Sequence, residues 1–334
     1  MPTLRKRLLV DEWVILAPER AGRPRQLALD DAPGPQKAGD TPCPFCLAQG
    51  ELTPAPTGSW DSPDFPDHPW GVRTVPNKFP ALDTDADFAA YGDALYEERP
   101  ARGVHEVIVE SPCHQCHWEE FPNSHLATIY GSWRDRLGQL GDDPANTCGV
   151  IFKNQGARAG ASLDHVHSQL ATLPMVPPTL AAELRGSKAY FDHRGDCALC
   201  AMIARERRSQ ERLVAENSHF IAIAPYGSRV PFEIWILPIL HRADFRNTPD
   251  SWLSALAEMT ARILALWRPI LGSVAHNMVL HTAPFDLAAK PYYHWHVEML
   301  PRHGQVAGFE WATNNFINAI PSEVAARRLR NLNI

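Results

Sequence analysis

The chain has 334 residues, 45% of them hydrophobic and 21% charged, the make-up of a soluble globular protein with room for two structural units. A formal net charge of -6 excludes a nucleic-acid binder that relies on a broad basic surface, so any cations that handle phosphate must be local. The apolar run in residues 4–10 is too short for a signal-peptide core or a membrane span, and a cytoplasmic location is expected.

Six of the seven cysteines stand in C-x-x-C pairs, and 15 histidines accompany them. In a chain without an export signal, such pairs suggest metal or redox chemistry more than structural disulfides. Thirty prolines favour short strands and connections over a helical bundle.

In chain order, residues 11–17 predict a strand. Arg20, Arg23 and Arg25 follow on a Gly/Pro loop, either a solvated turn or a fork for phosphate oxygens. Residues 28–42 and 51–69 read as loops, and between them Cys43-Pro44-Phe45-Cys46 forms a knuckle with metal-ligand spacing. Residues 72–79 predict a strand ending in a turn at Asn77. Residues 104–112 predict another that stops at Pro112, with His114 just beyond. Leu126, Ile129, Tyr130, Trp133, Leu137 and Leu140 recur at helical spacing across residues 122–140. A buried strand is predicted at 148–152, and Asn154-Gln155-Gly156 turns from it into Gly160-Ala161-Ser162-Leu163-Asp164-His165-Val166-His167-Ser168-Gln169. Alternate residues of extended backbone share a face, so His165, His167 and Gln169 are expected on one surface. The plainer reading of that pattern is a strand with two half-buried histidines.

The second half repeats this order, which predicts two halves, 1–178 and 179–334, around a shared antiparallel sheet. Cys197 and Cys200 answer Cys43 and Cys46. The strand at 232–238, followed by His241, answers the one that precedes His114. A helix is predicted to start near Thr248-Pro249, with Thr248 as its N-cap, and to carry Leu253, Leu256, Ile263, Leu264 and Trp267. A strand at 277–280 then leads to His294-Trp295-His296-Val297-Glu298. From the strand-end His to the H-x-H is 51 residues in the first half and 53 in the second. Because one H-x-H is followed by Gln169 and the other by Glu298, the first half is expected to do the chemistry and the second to support it.

Two thiolates and two imidazoles per half make the donor set of a closed tetrahedral zinc site, so two zinc ions per chain are expected. The sets are Cys43, Cys46, His114 and His165, then Cys197, Cys200, His241 and His294. Cys113 and Cys116 are local rivals; His114 is preferred because His241 stands at the matching place. Reduced buried thiols or a redox dithiol are the alternatives to zinc. With His165 on a metal, His167 is free to act as a nucleophile toward phosphorus, and Gln169 to donate to a phosphate oxygen. Gly160 and Ser162 offer close backbone approach and a hydroxyl to the same oxygens, and Arg20 and Arg23 offer counter-charge.

The run of motifs resembles the galactose-1-phosphate uridylyltransferase family, a branch of the histidine-triad superfamily. It extends from Arg20-Ala-Gly-Arg23 through Cys43 to Cys46, Val75-Pro-Asn77, Ser111-Pro-Cys-His114, Asn154-Gln-Gly and His165-Val-His167-Ser-Gln169 to Gly308-Phe309-Glu310. The resemblance implies an α+β fold, a duplicated half-barrel of antiparallel strands with helices outside, as a homodimer. It implies ping-pong transfer of a nucleoside monophosphate from a nucleotide sugar to His167 and on to a sugar 1-phosphate, in galactose metabolism. Arg20, Arg23, Asn77, Asn154, Gly160, Ser162 and Gln169 would hold the nucleotide and its phosphates, and Phe309 and Glu310 the hexose. Val166 and Ser168 stand where familiar members have proline and glycine, and Phe316 where they have a sugar-binding glutamine. The second C-x-x-C resembles a divergent two-zinc branch that includes an ADP-glucose phosphorylase, which makes adenylyl transfer to phosphate the nearest alternative. In the single-C-x-x-C branch a Glu and three His bind iron, a set that Glu183, His281, His294 and His296 would imitate. A non-catalytic zinc protein that binds nucleotides is the alternative of another class.

Overall fold

The computed structural model describes every residue except 23–41, 94, 288–290, 303, 305 and 333–334; Arg23, Arg25 and most of the loop predicted at 28–42 lie outside the described residues. The first half contains strands β1 (Thr3–Lys6), β2 (Trp13–Leu16), β3 (Gly58–Trp60), β4 (Val72–Pro76), the short pair β5 (Tyr91–Gly92) and β6 (Glu97–Glu98), and β7 (His105–Val109). Helix α1 (Asn123–Gly141), β8 (Cys148–Gln155) and β9 (His167–Leu173) follow. The second half runs α2 (Pro178–Arg194), α3 (Ala198–Ser209), β10 (Leu213–Glu216), β11 (Phe220–Ile223), β12 (Ile234–Pro238) and α4 (Asp250–Leu271). It continues with β13 (His276–His281), β14 (His296–Pro301), α5 (Gly308–Thr313), β15 (Phe316–Asn318) and α6 (Ser322–Arg330).

Ten strands join in one antiparallel sheet, ordered β10-β11-β12-β14-β13-β8-β9-β7-β4-β3. Outward from the β13–β8 junction, β9, β7, β4 and β3 on one side answer β14, β12, β11 and β10 on the other. The junction register sets Asn154 opposite Asn277 and Phe152 opposite Val279. Strands β1, β2 and β15 make a separate three-stranded sheet.

Alternation along the strands decides what each face carries. Ile151, Leu170, Ile234, Ile236, Met278, Leu280, Val297 and Met299 meet the apolar stripes of α1 and α4 in the main core. The two helices touch through the Tyr130 and Thr260 hydroxyls, 2.7 Å apart. Residues one position out of phase, among them His105, Asn154, Gln169, Asn277, His296 and Glu298, lie on the opposite face.

Three expectations need correction. Helix α4 has Pro249 at its N-cap and no side-chain cap, and the Thr248 hydroxyl is buried without a partner. The Pro249 carbonyl takes the Trp252 and Leu253 N–H groups itself. Strand β3 lies inside a segment read as loop; three residues are too few to show a period. Strand β9 opens at His167 instead of before His165, because the ladder with β7 starts at the Val109–His167 pair.

An ion pair is buried between the sheet and α1. Lys153 Nζ lies 2.6 Å from Glu110 Oε2 and donates to the His167 carbonyl at 3.1 Å. Trp118 Nε1 donates to the same Glu110 oxygen at 2.6 Å. The side chains of Lys153 and Glu110 are 1% and 0% exposed, so neither charge has water to fall back on. Lys153→Met, which strands the carboxylate, should cost about 3–5 kcal/mol in urea denaturation, and adding Glu110→Leu should recover most of it. A double variant less stable than the single one would show that the pair is not the reason for the loss.

Candidate active site and metal centres

The first knuckle is folded against the end of β7. Cys46 N–H donates to the Cys43 carbonyl at 3.3 Å, and Leu47 N–H to that of Pro112 at 3.0 Å. Just past β7 comes His114, and just before β9 comes His165. The four ligand atoms of Cys43, Cys46, His114 and His165 lie within 4.8 Å of one another. Cys43 Sγ is 3.5 Å from His165 Nδ1, and Cys46 Sγ is 3.5 Å from His114 Nδ1. His165 Nε2 donates to the Ser111 carbonyl at 2.9 Å, which turns the Nδ1 lone pair toward the sulfurs. Burial holds the His165 pKa down at about 4, and burial plus the neighbouring Cys43 push the Cys46 thiol up to about 11. A His165 imidazole kept neutral and a Cys46 thiol whose ionisation a divalent cation would favour fit a metal site. The rivals Cys113 and Cys116 are not members of this group, and Cys113 Sγ lies 3.5 Å from His68 Nε2 instead.

Of the three residues expected on one strand face, only His167 and Gln169 share it; the ring of His165 turns back to the knuckle. His167 Nδ1 donates to the His165 carbonyl at 2.8 Å. The Nε2 atom therefore keeps its lone pair, and no described residue hydrogen-bonds it. Burial lowers the His167 pKa, which keeps the imidazole neutral. Phe45, from the tip of the knuckle, packs its ring 5.2 Å from that of His167.

Gln169 is steered by His105, a residue that the sequence gives no separate reason to single out. His105 Nδ1 accepts the Ala81 N–H at 3.1 Å. A backbone N–H can only donate, so the His105 proton sits on Nε2 and is given to Gln169 Oε1 at 2.9 Å. Among the described residues no acceptor takes the amide NH2 of Gln169, which leaves it for a ligand. Asn77 joins the group, with Nδ2 3.3 Å from His105 Nε2 and Oδ1 accepting the Phe79 N–H at 2.9 Å.

Gly156 and Gly160, with φ of +80° and +92°, bracket a turn that other residues would strain. Asn277 Nδ2 ties this turn down, donating to Asn154 Oδ1 at 2.7 Å and to the Ala159 carbonyl at 2.8 Å. Ser162 is exposed on the segment that follows, and Arg20 is exposed on a short turn at Pro18–Gly22. Phe309 is 42% exposed on α5, where Glu310 accepts the Ala307 N–H at 3.0 Å. Among the described residues, no hydrogen bond or ring contact joins Arg20, Ser162, Phe309 or Glu310 to His167.

The second half repeats the metal geometry. Cys200 Sγ lies 3.4 Å from His241 Nδ1 and 3.5 Å from His294 Nδ1, and His294 Nε2 donates to the Pro238 carbonyl at 3.0 Å. The Cys197 neighbour, with burial, pushes the Cys200 thiol well above its ordinary value. His296 Nδ1 donates to the His294 carbonyl at 3.2 Å, as His167 does to that of His165. Its Nε2, however, is buried without a partner, and its ring lies against Trp235 at 4.9 Å and His281 at 4.7 Å.

A third group, Glu183, His281, His296 and Glu298, also has ligand atoms within 4.8 Å of one another. Glu298 here takes the place expected for His294, which the second knuckle has claimed. His281 Nδ1 lies 3.0 Å from Glu183 and Nε2 3.3 Å from Glu298, so both ring nitrogens are engaged. Glu298 is further held by Arg229 and, at 3.7 Å, by Arg7. Burial alone would lower the His281 pKa, but the two carboxylates outweigh it and raise it to about 10. The carboxylates are balanced by protein cations.

The duplicated half-barrel sheet, with a Cys/His knuckle under each H-x-H, is a histidine-triad-like fold, and the relatives that it matches make the chain an enzyme of the nucleotidyltransferase class. Residues 1–177 match the family described as galactose-1-phosphate uridyl transferase, N-terminal domain, and the chain belongs to that family. Residues 141–333 also match a domain of unknown function, DUF4921. An ADP-glucose phosphorylase from Arabidopsis thaliana is 33% identical over 341 residues, covering 100% of this chain and 93% of that protein. A galactose-1-phosphate uridylyltransferase from Thermotoga maritima is 26% identical over 343 residues, covering 100% of this chain and 99% of that one. The crystal structure of an Arabidopsis thaliana ADP-glucose phosphorylase with bound ADP-glucose superposes with a TM-score of 0.85 at 30% identity, covering 100% and 99% of the two chains. Among the described residues, no helix is long and apolar enough to cross a membrane.

Two outcomes follow from this geometry. His105→Phe removes the donor that orients Gln169 and should lower kcat about tenfold with little change in KM, the behaviour of an interaction made in the transition state. A change confined to KM would refute that role. The raised pKa of His281 contributes stability in full below about pH 6.5, and that contribution declines as pH rises toward 10. Urea denaturation between these limits should show the decline in the wild type and a flatter profile in His281→Gln.

Proposed function

We propose that the chain carries a nucleoside monophosphate on His167, between a nucleotide sugar and a second phosphate-bearing acceptor. The observation that supports this best is the neutral His167 ring, with Nδ1 tied to the His165 carbonyl and Nε2 unbonded, beside an amide steered by His105. In the first step Nε2 attacks the α-phosphorus; the N–P bond forms as the bond to the bridging oxygen breaks, and a sugar 1-phosphate leaves. In the second, an acceptor phosphate oxygen attacks the same phosphorus, the N–P bond breaks, and the imidazole returns neutral. Gln169 donates to a non-bridging oxygen as charge grows there. Asn77, Asn154, Gly160 and Ser162, with Arg20 and Arg23, hold the nucleotide phosphates in this proposal, and Phe309 and Glu310 the sugar.

Likeness to the Arabidopsis ADP-glucose phosphorylase favours ADP-glucose as donor and inorganic phosphate as acceptor. The family description and the Thermotoga relative favour the second reading, UDP-glucose with a hexose 1-phosphate. We assign one zinc to each Cys/His set; when bound it would brace the knuckle and the start of the H-x-H strand, away from the reacting atoms. Trp311, 81% exposed on α5, suits contact with a second copy, and light scattering should return about twice the 37.2 kDa chain mass.

Incubation with ADP-glucose or UDP-glucose labelled in the α-phosphate, without acceptor, should label the protein on His167, and the nucleotide that does so identifies the donor. His167→Ala should take no label and turn over at least a thousandfold more slowly. Wild-type turnover by that variant would leave a zinc protein that only binds nucleotides. Metal analysis should find two zinc ions per chain, with one lost in Cys43→Ser and one in Cys197→Ser; a third metal would contradict the reading that His281, Arg229 and Arg7 serve Glu183 and Glu298 in place of an ion.

A further inference from the structure

A cavity of about 510 Å³ opens where the end of β1 meets helices α2 and α3 and strand β12. Its size is that of a small-molecule site. Strand β12 lies four positions from β9 in the sheet order, roughly 19 Å at the usual strand spacing, so the cavity is separate from the His167 site. Trp235 forms part of the wall from the sheet side, joined by Tyr190 of α2 and Met202 of α3. Lys6, Arg7 and Arg205 supply positive charge to the same lining. The one acidic residue there, Glu206, is taken by Arg212 at 2.7 Å.

The cations differ in a useful way. Arg7 is 6% exposed, spends Nη1 on Glu12 and has Nη2 3.7 Å from Glu298, yet its Nε is buried without any acceptor. A buried guanidinium N–H without a partner costs stability unless something completes it. Arg205 is exposed and makes no ion pair among the described residues. Trp235 Nε1 is already given to Glu233 at 3.0 Å, so the indole offers a ligand its apolar ring and not its donor.

We propose that this cavity binds a small anionic metabolite with a flat apolar body. Its head group, a phosphate or a carboxylate, rests on Arg7, Arg205 and Lys6, while the body lies against Trp235 and Tyr190. Arg7 also touches Glu298 and the Trp235 ring lies on His296, so an occupant would brace the second-half network of Glu298, His281 and Glu183. The proposal does not depend on which nucleotide His167 accepts.

8-Anilinonaphthalene-1-sulfonate, an aromatic anion with a flat naphthalene body, serves as the probe in fluorescence titration of the whole chain. The wild type should show one site whose affinity falls at least tenfold in the surface double variant Lys6→Glu/Arg205→Glu. Ala201→Trp, which puts an indole into the cavity, should weaken binding further. Displacement by phenyl phosphate identifies a phosphate head group, and displacement by benzoate a carboxylate. Unchanged affinity in the double variant, or displacement by neither competitor, would overturn the proposal even if Ala201→Trp fails to fold.

Discussion

His165 serves two neighbours at once, and the rest of the candidate site depends on it. Its ring nitrogen Nδ1 faces Cys43 and Cys46 while Nε2 is tied to the Ser111 carbonyl, so the ring has no freedom to turn. With the ring fixed, its backbone carbonyl is fixed too, and that carbonyl holds the Nδ1 proton of His167. A metal-type knuckle thereby sets the tautomer of a residue whose ring nitrogens it does not bond. On the other side of the strand, Lys153 donates to the His167 carbonyl from a buried ion pair with Glu110. The residue is held through its ring from one side and its backbone from the other.

The second half shows what the same device becomes without an open nucleophile. His294 and His296 repeat the carbonyl-to-Nδ1 bond, and Cys197, Cys200 and His241 repeat the knuckle. The difference lies in what surrounds Nε2. Around His167 it is left free; around His296 it is sealed between Trp235 and the His281 ring. Glu298, in the position that answers Gln169, turns that region into an ion network with His281, Arg229 and Arg7. A neutral amide can present a donor to a phosphate oxygen, whereas a carboxylate would repel it. The single change from Gln to Glu therefore separates a surface that suits an anion from one that binds cations.

Much of this was legible in the chain because the ligands sit at fixed offsets from elements with clear periods. C-x-x-C, a histidine after a strand that ends in proline, and an alternating pair of histidines are local patterns, and the two copies corroborate each other. The long helices α1 and α4 follow from apolar spacing alone. His105 could not be found this way. Its importance comes from the Ala81 N–H and the Gln169 amide, 24 and 64 residues away in the chain. Glu110 and Lys153 likewise look like strand residues of the wrong polarity until the pairing of β7, β9 and β8 brings them together behind His167.

By itself, then, the sequence determined the Cys/His groups and the repeated order of motifs, because those are carried by residue type and spacing. Only the tertiary structure decided which ring nitrogens carry protons, which imidazole stays open, and that Glu183 and Glu298 face His281, Arg229 and Arg7. Those properties depend on which carbonyl or carboxylate lies within 3 Å of a given nitrogen. Distances of that kind are set by packing between strands far apart in the chain, and no local pattern encodes them.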